Sequence, residues 1–367
     1  MNNKVVFWII FLLNHSICFS NADTIPRFFT GFQAHYGFII PHSRAIEAVS
    51  HTKPYGFEID LNKLNTSFNS WKVFNAYWIS GIQAGYFNFQ NPAVLGGAFL
   101  LTAFAEPVVS CGKNHIISIR GGAGFSCQTR IYNPERNPLN QFFCTRISFP
   151  LYVSAKFKYR LCRKTYISVS GNYNHISNGG IKQPNYGMNF PTLSLGLEYF
   201  PDSIPDLSRK FSSDLKVQKP GIYFIIEALA CYKVVDKTDS YPEKAAFVYG
   251  VHARLARQIR TWYALNAGGE FIVDGSIKET IKRENLMVDY KRFAITAGQD
   301  FLLGKMIFTQ YLGFYIYSPY KAKNSVYQKY ELAYKILPHL LFGVYLKAHT
   351  SEAELMGLNL SCLLFKK

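Results

Sequence analysis

Apolar and polar residues alternate along most of this chain with a period of two. In PYGFEIDLN, Tyr55, Phe57, Ile59 and Leu61 fall on one face, and Glu58, Asp60 and Asn62 on the other. SFPLYVSAKFKYR sets Leu151, Val153, Ala155, Phe157 and Tyr159 against Tyr152, Ser154, Lys156, Lys158 and Arg160. TYISVSGNYN sets Ile167, Val169, Gly171 and Tyr173 against Ser168, Ser170, Asn172 and Asn174. Successive side chains of a strand point to opposite faces, so these runs predict strands with one apolar face. About sixteen such strands are expected. Eight lie near 30–41, 54–64, 76–88, 95–105, 114–126, 147–160, 164–175 and 190–200. A polar linker over 201–219 follows. Eight more then lie near 220–232, 244–257, 262–274, 290–302, 306–318, 326–335, 338–348 and 353–366.

The connections alternate in length. Leu161-Cys162-Arg163, Gly304-Lys305 and Leu337-Pro338 are tight turns, whereas 127–146, 176–189 and 275–289 are long. Short turns at one end and long loops at the other characterise bacterial outer-membrane barrels. With the N-terminus in the periplasm, the long loops face outward. An even number of strands returns the C-terminus, with its LSCLLF, to the periplasm. Lipid cannot satisfy an open strand edge, so such a sheet must close. A soluble β-sandwich would also alternate, but rarely with so many aromatic residues on strand after strand. The expected fold is therefore all-β: an antiparallel transmembrane outer-membrane β-barrel. It has about 14–16 strands in one barrel, or an 8-stranded barrel followed by a second β half over 220–367. A single barrel is preferred, because two barrels on one short linker would be an unusual arrangement.

The N-terminus breaks the alternation. Met1-Asn2-Asn3-Lys4 is a basic leader, Val5 to Leu13 is an apolar core too short to span a membrane, and SICFS ends in small residues. This reads as a signal peptide over 1–20, and hence as export. Cys18 leaves with it. Cys127 and Cys144 flank a loop, and in an oxidising compartment they are read either as a disulfide or as two free thiols. No Cys/His cluster has metal-ligand spacing, so neither a metal nor another cofactor is expected. The formal net charge of +17 is spread over the 367 residues without a recognition element, which disfavours nucleic acid as a partner.

The candidate chemistry lies in NHISNGGIKQPNYGMNF (Asn174 to Phe190). His175 and Ser177 continue the parity of Val169 and Tyr173, the face that meets lipid, at the outer end of their strand. Asn189 has the parity of Leu193, Leu195 and Leu197, again the lipid face. Three polar side chains on a lipid-facing wall suit a lipid substrate better than packing. His175 can take the Ser177 proton, and the alkoxide can attack an ester carbonyl. Asn189 can hold the imidazole tautomer. Glu198 is the nearest later carboxylate, but its parity puts it on the opposite face.

A His-x-Ser pair alone is common. The longer string is more specific: His175-Ile176-Ser177-Asn178-Gly179-Gly180, Lys182, Pro184-Asn185, Gly187 and Asn189, followed by an alternating strand. It resembles the signature of the PagL-type lipid A 3-O-deacylases, which are outer-membrane acyl hydrolases. HYGFIIPHS (His35 to Ser43) with YGFEIDL resembles the longer acyloxyacyl-hydrolase branch of that family, and the likeness covers roughly Phe29 to Phe200. The resemblance implies that Ser177 is the nucleophile and His175 its base. The family's third member is a Glu, and here it is Asn189. A carboxylate stabilises the imidazolium, whereas an amide only orients it. The resemblance also implies that Asn178 and Asn185 serve the oxyanion, with Gly179 and Gly180 letting backbone amides approach.

Arg130, Arg136 and Lys182 fall in outer loops, where the anionic head groups of lipid A lie. The expected function is thus an outer-membrane serine esterase that removes an ester-linked acyl chain from lipid A or lipopolysaccharide. The competing reading is a porin-like or lipid-binding barrel with an idle motif. A soluble lipid-binding β-protein comes third. Near the C-terminus, His349, Ser351 and Glu354 echo the motif, but parity turns His349 and Lys347 into the lumen.

Overall fold

The computed structural model describes residues 27–67, 76–202, 221–260, 262–349 and 352–366. The expected signal peptide over 1–20 and most of the linker lie outside them. Sixteen strands are present among the described residues. The first eight are β1 (Arg27–Gly37), β2 (Tyr55–Asn65), β3 (Trp78–Asn91), β4 (Gly96–Cys111), β5 (His115–Gln128), β6 (Ile147–Arg160), β7 (Thr165–Ser177) and β8 (Met188–Tyr199). The second eight are β9 (Ile222–Val235), β10 (Lys244–Arg260), β11 (Tyr263–Asp274), β12 (Lys291–Leu303), β13 (Met306–Tyr317), β14 (Val326–Leu337), β15 (Leu340–His349) and β16 (Glu352–Lys366).

The expectation of one wide barrel is corrected by the pairing. β8 returns to β1, from Thr30↔Tyr199 to Gly37↔Thr192. β16 returns to β9, from Gly357↔Cys231 to Lys366↔Tyr223. Each half is therefore a closed, antiparallel, eight-stranded barrel, the membrane-spanning fold of an outer-membrane protein. The physical reason lies in the inward residues. An eight-stranded barrel is just wide enough for its own side chains to fill. In the first barrel, Arg120 bonds Asp60 at 2.7 Å and Glu106 at 2.6 Å, and Lys158 bonds Glu106 at 2.7 Å and Glu198 at 2.9 Å. In the second, Arg254 pairs with Glu227 and Asp300, and Arg292 with Asp274 and Glu354. Each lumen thus holds partners for its own charges, and a wider barrel would separate them. Glu198 is committed to this lumen, as its parity predicts.

Apolar clusters close the first lumen above and below its ionic belt. Phe29, Tyr77, Phe104, Tyr166 and Phe200 pack at one end. Ile46, Phe87, Phe89, Phe142, Ile176 and Met188 pack at the other, under the long loops. The outward residues, among them Phe32, Ile59, Leu101, Val153 and Leu195, are half exposed and form the apolar wall. Among the described residues two short helices sit at the loop end: α1 (Arg44–Ser50), capped by Ser43, and α2 (Gly275–Arg283), capped by Asp274, which accepts from the amides of Ser276 and Ile277. Alternation does not reveal them, because they interrupt it within loops.

Candidate active site

The site is built from one rung of the β7–β8 ladder. His175 lies directly opposite Asn189, one step beyond the pair Asn174↔Phe190. Ile176 and Met188, the next residues along, turn inward and are fully buried in the apolar cluster beneath the loops. The pleat therefore pushes His175 and Asn189 outward, as the parity of the strand predicts. Across this rung His175 Nδ1 lies 2.7 Å from Asn189 Oδ1. An amide oxygen can only accept, so the imidazole carries its proton on Nδ1 and its Nε2 is left as a base.

His42, in the loop after β1, supports Asn189 from behind. Its Nε2 donates to Tyr186 O at 2.9 Å, and its Nδ1 lies 3.4 Å from Asn189 Nδ2. The amide is thus fixed in the orientation that presents oxygen to His175. His42 stands in the HYGFIIPHS stretch, but its spacing from the motif carries no signal of this contact. His35 of the same stretch is buried in the lumen, where its Nε2 meets Glu58 at 3.0 Å.

Ser177 follows at the end of β7. Gly187 brings it beside His175: a Cβ on Gly187 would stand 2.9 Å from His175 Cε1 and 3.0 Å from Ser177 Cβ, at a φ of +67°. Ser177 Oγ accepts from Gly179 N at 3.4 Å, and among the described residues no hydrogen bond joins it to His175. Loose nucleophile–base contacts are common before substrate binds.

The asparagines expected to serve an oxyanion have divided tasks. The Asn178 side chain is buried and spent on its own loop: Nδ2 donates to Lys182 O at 2.8 Å and to Cys144 Sγ at 3.2 Å, and Oδ1 accepts from Gly180 N at 3.0 Å. Asn185 Oδ1 accepts the Asn178 amide at 3.0 Å. Of the four expected donors, the Gly179 amide and Asn185 Nδ2 are the two not held in these loop bonds.

Cys144 and Cys127 are both free thiols, which removes the disulfide alternative. Burial pushes the Cys144 thiol up to about 11, so it stays protonated and donates to Lys182 O at 3.1 Å. Arg130 and Arg136 are exposed on the β5–β6 loop. Lys182 is not open in the same way, since its Nζ pairs with Glu243 Oε2 of the second barrel at 2.6 Å.

An apolar groove of about 730 Å³ lies on the outer wall below this rung. Its lining includes Tyr36, Val153, Ala155, Gly171, Tyr173 and Leu193. Tyr173 and Gly171 are the next outward residues below His175 on β7, so the groove starts about 7 Å from the imidazole's rung. A Cβ on Gly171 would meet nothing within 4 Å.

The echo in the second half is a lumen element. His349 Nε2 contacts Glu354 Oε2 at 3.0 Å, both buried, and Lys347 bonds Glu270. Ser351 lies outside the described residues.

Residues 56–198 match the family model described as lipid A 3-O-deacylase (PagL), and residues 222–366 match that of the acyloxyacyl hydrolase C-terminal domain. Among curated proteins none matches. Among solved structures, the outer membrane enzyme PagL is 16% identical, with 45% of this chain and 97% of that one covered at a TM-score of 0.34. A mutant porin of Rh. blastica is 8% identical, with 93% and 100% covered at a TM-score of 0.20.

Proposed function

Because the chain belongs to the family of PagL-type lipid A 3-O-deacylases and acyloxyacyl hydrolases, we propose that it is an outer-membrane serine esterase acting on an ester-linked acyl chain of lipid A. The observation that carries this reading is the His175–Asn189 contact, facing lipid at the top of an apolar groove. An acyl chain lying in the groove brings its ester to the level of Ser177. The phosphorylated head group then lies among the loops, near Arg130 and Arg136.

The steps follow from the protonation of His175. Its Nε2 takes the Ser177 hydroxyl proton as Oγ attacks the ester carbonyl. Asn189 Oδ1 keeps the imidazolium oriented through Nδ1–H. The Gly179 amide and Asn185 Nδ2 donate to the oxyanion, while Asn178 and Gly180 shape the loop that holds them. Nε2–H then protonates the departing sugar oxygen. Water, activated by the same nitrogen, releases the fatty acid and restores Ser177.

The ion-paired lumens count against a conducting barrel. Glu106 and Lys158 are fully buried at the centre of the first, and Glu270 and Lys329 at the centre of the second. The test is release of hydroxy fatty acid from lipopolysaccharide by the purified full chain beside its Ser177→Ala variant. Release by the parent alone supports the esterase. Equal traces from both, with folded barrels, would return the motif to an idle role.

A further inference from the structure

The loop that follows Ser177 does not end within its own barrel. β9 and β16 pair from Gly357↔Cys231 to Lys366↔Tyr223, so the outer tip of β9, from Tyr232 to Val235, runs past the last rung of this seam. Residues 179–182 of the first barrel fill the notch so formed. Val234 N donates to Ile181 O at 2.9 Å, the bond an adjoining strand would make. Gly179 and Gly180, at φ of +67° and +80°, lie flat on β16: a Cβ on the first would meet Met356 Cβ at 2.5 Å, and one on the second would meet Ala353 O and Glu354 O at 2.8 Å. Lys182 completes the contact with its ion pair to Glu243, in the β9–β10 loop.

Only Asn178 separates Ser177 from this notch, and the Gly179 amide serves both. It points at Ser177 Oγ while its Cα rests on Met356. We propose that the second barrel is a positioning element for the esterase site, its β9–β16 seam aiming the Gly179 amide at the nucleophile. Val234, Met356 and Glu243 are then positioning residues, acting through the loop rather than on substrate. The division of labour explains why a chain would carry a second barrel whose lumen is filled with ion pairs. Its use lies at the rim, where an open seam receives another barrel's loop. The inference rests on the esterase reading for its consequence, but not for its geometry.

Two variants of the full chain test it. Val234→Pro removes the donor to Ile181 O, while the β9–β10 ladder is carried by the alternate residues on the other edge. Glu243→Lys sets like charges together, and Lys182→Glu with Glu243→Lys restores an attractive pair. Hydrogen exchange at the amides of 178–182 and labelling of Ser177 by a fluorophosphonate are read together. Loss of a half-exposed pair and its replacement by repulsion should slow labelling about three- to tenfold. Exchange in the loop should quicken, and the double variant should recover both. Parent rates and parent exchange in Val234→Pro and Glu243→Lys alike would overturn the proposal. A parent chain that never labels, yet whose loop exchange responds and recovers, supports the positioning and overturns the esterase reading instead.

Discussion

Asn189 Oδ1 stands 2.7 Å from His175 Nδ1 on a single rung of the barrel wall, both residues having outward parity. An amide in this place fixes the ring but brings no charge to the imidazolium that forms. Among the described residues no carboxylate bonds to His175.

Asn189→Glu should therefore do two things. It should raise the maximal rate, because a carboxylate stabilises the protonated ring in the transition state. It should also move the acid limb of the pH–rate profile to higher pH. The base works only when neutral, and a carboxylate neighbour raises its pKa. Asn189→Ala should lower kcat about a hundredfold with little change in KM. A profile unmoved by Glu would mean that residue 189 does not act through the imidazole.

Gly187→Ala should abolish most activity while the barrel stays folded. The added methyl would strike His175 Cε1 and Ser177 Cβ at 2.9 and 3.0 Å, in a backbone conformation that L side chains rarely adopt. Heat-modifiable mobility reports the fold, and ester hydrolysis the site. Full activity in a folded variant would place the catalytic pair elsewhere.

Gly171→Leu should fill the groove without touching the rung above it, since a Cβ there meets nothing within 4 Å. Turnover of long acyl chains should fall, and that of short soluble esters should hold. The ratio of the two kcat/KM values, compared between parent and variant, is the readout. Equal losses on both would show that the groove does not carry the chain.

Arg120→Met should destabilise the first barrel by roughly 3–5 kcal/mol, because Asp60 would stay buried without its ion partner and Glu106 would keep only Lys158. Urea unfolding in detergent micelles measures it. An unchanged midpoint would mean that Lys156 and Lys158 suffice to neutralise the belt.

The strands and their faces are legible in the sequence because lipid outside and ion pairs inside impose strict alternation. The outward placing of His175 and Asn189 follows from the same parity, as does the burial of Glu198 and His349. Which strand closes on which is not legible. Nothing in the pattern of β8 says that it returns to β1 rather than continuing to β9, since every strand offers the same alternation on either edge. Contacts made by loops are equally hidden. His42 reaches Asn189 across 147 residues, and Lys182 reaches Glu243 across 61. Asn178 looks like an oxyanion donor by its place after Ser177, but the fold of 178–187 spends its side chain on Lys182 O, Cys144 Sγ and Gly180 N.

Mass spectrometry of lipid A from Gram-negative cells expressing this chain, beside a Ser177→Ala twin, tests the central claim most directly. The expected result is loss of one acyl chain from the lipid A of the parent strain, and unaltered lipid A in the twin at equal levels of folded barrel. Unaltered lipid A in both strains, or the same loss in both, would contradict it.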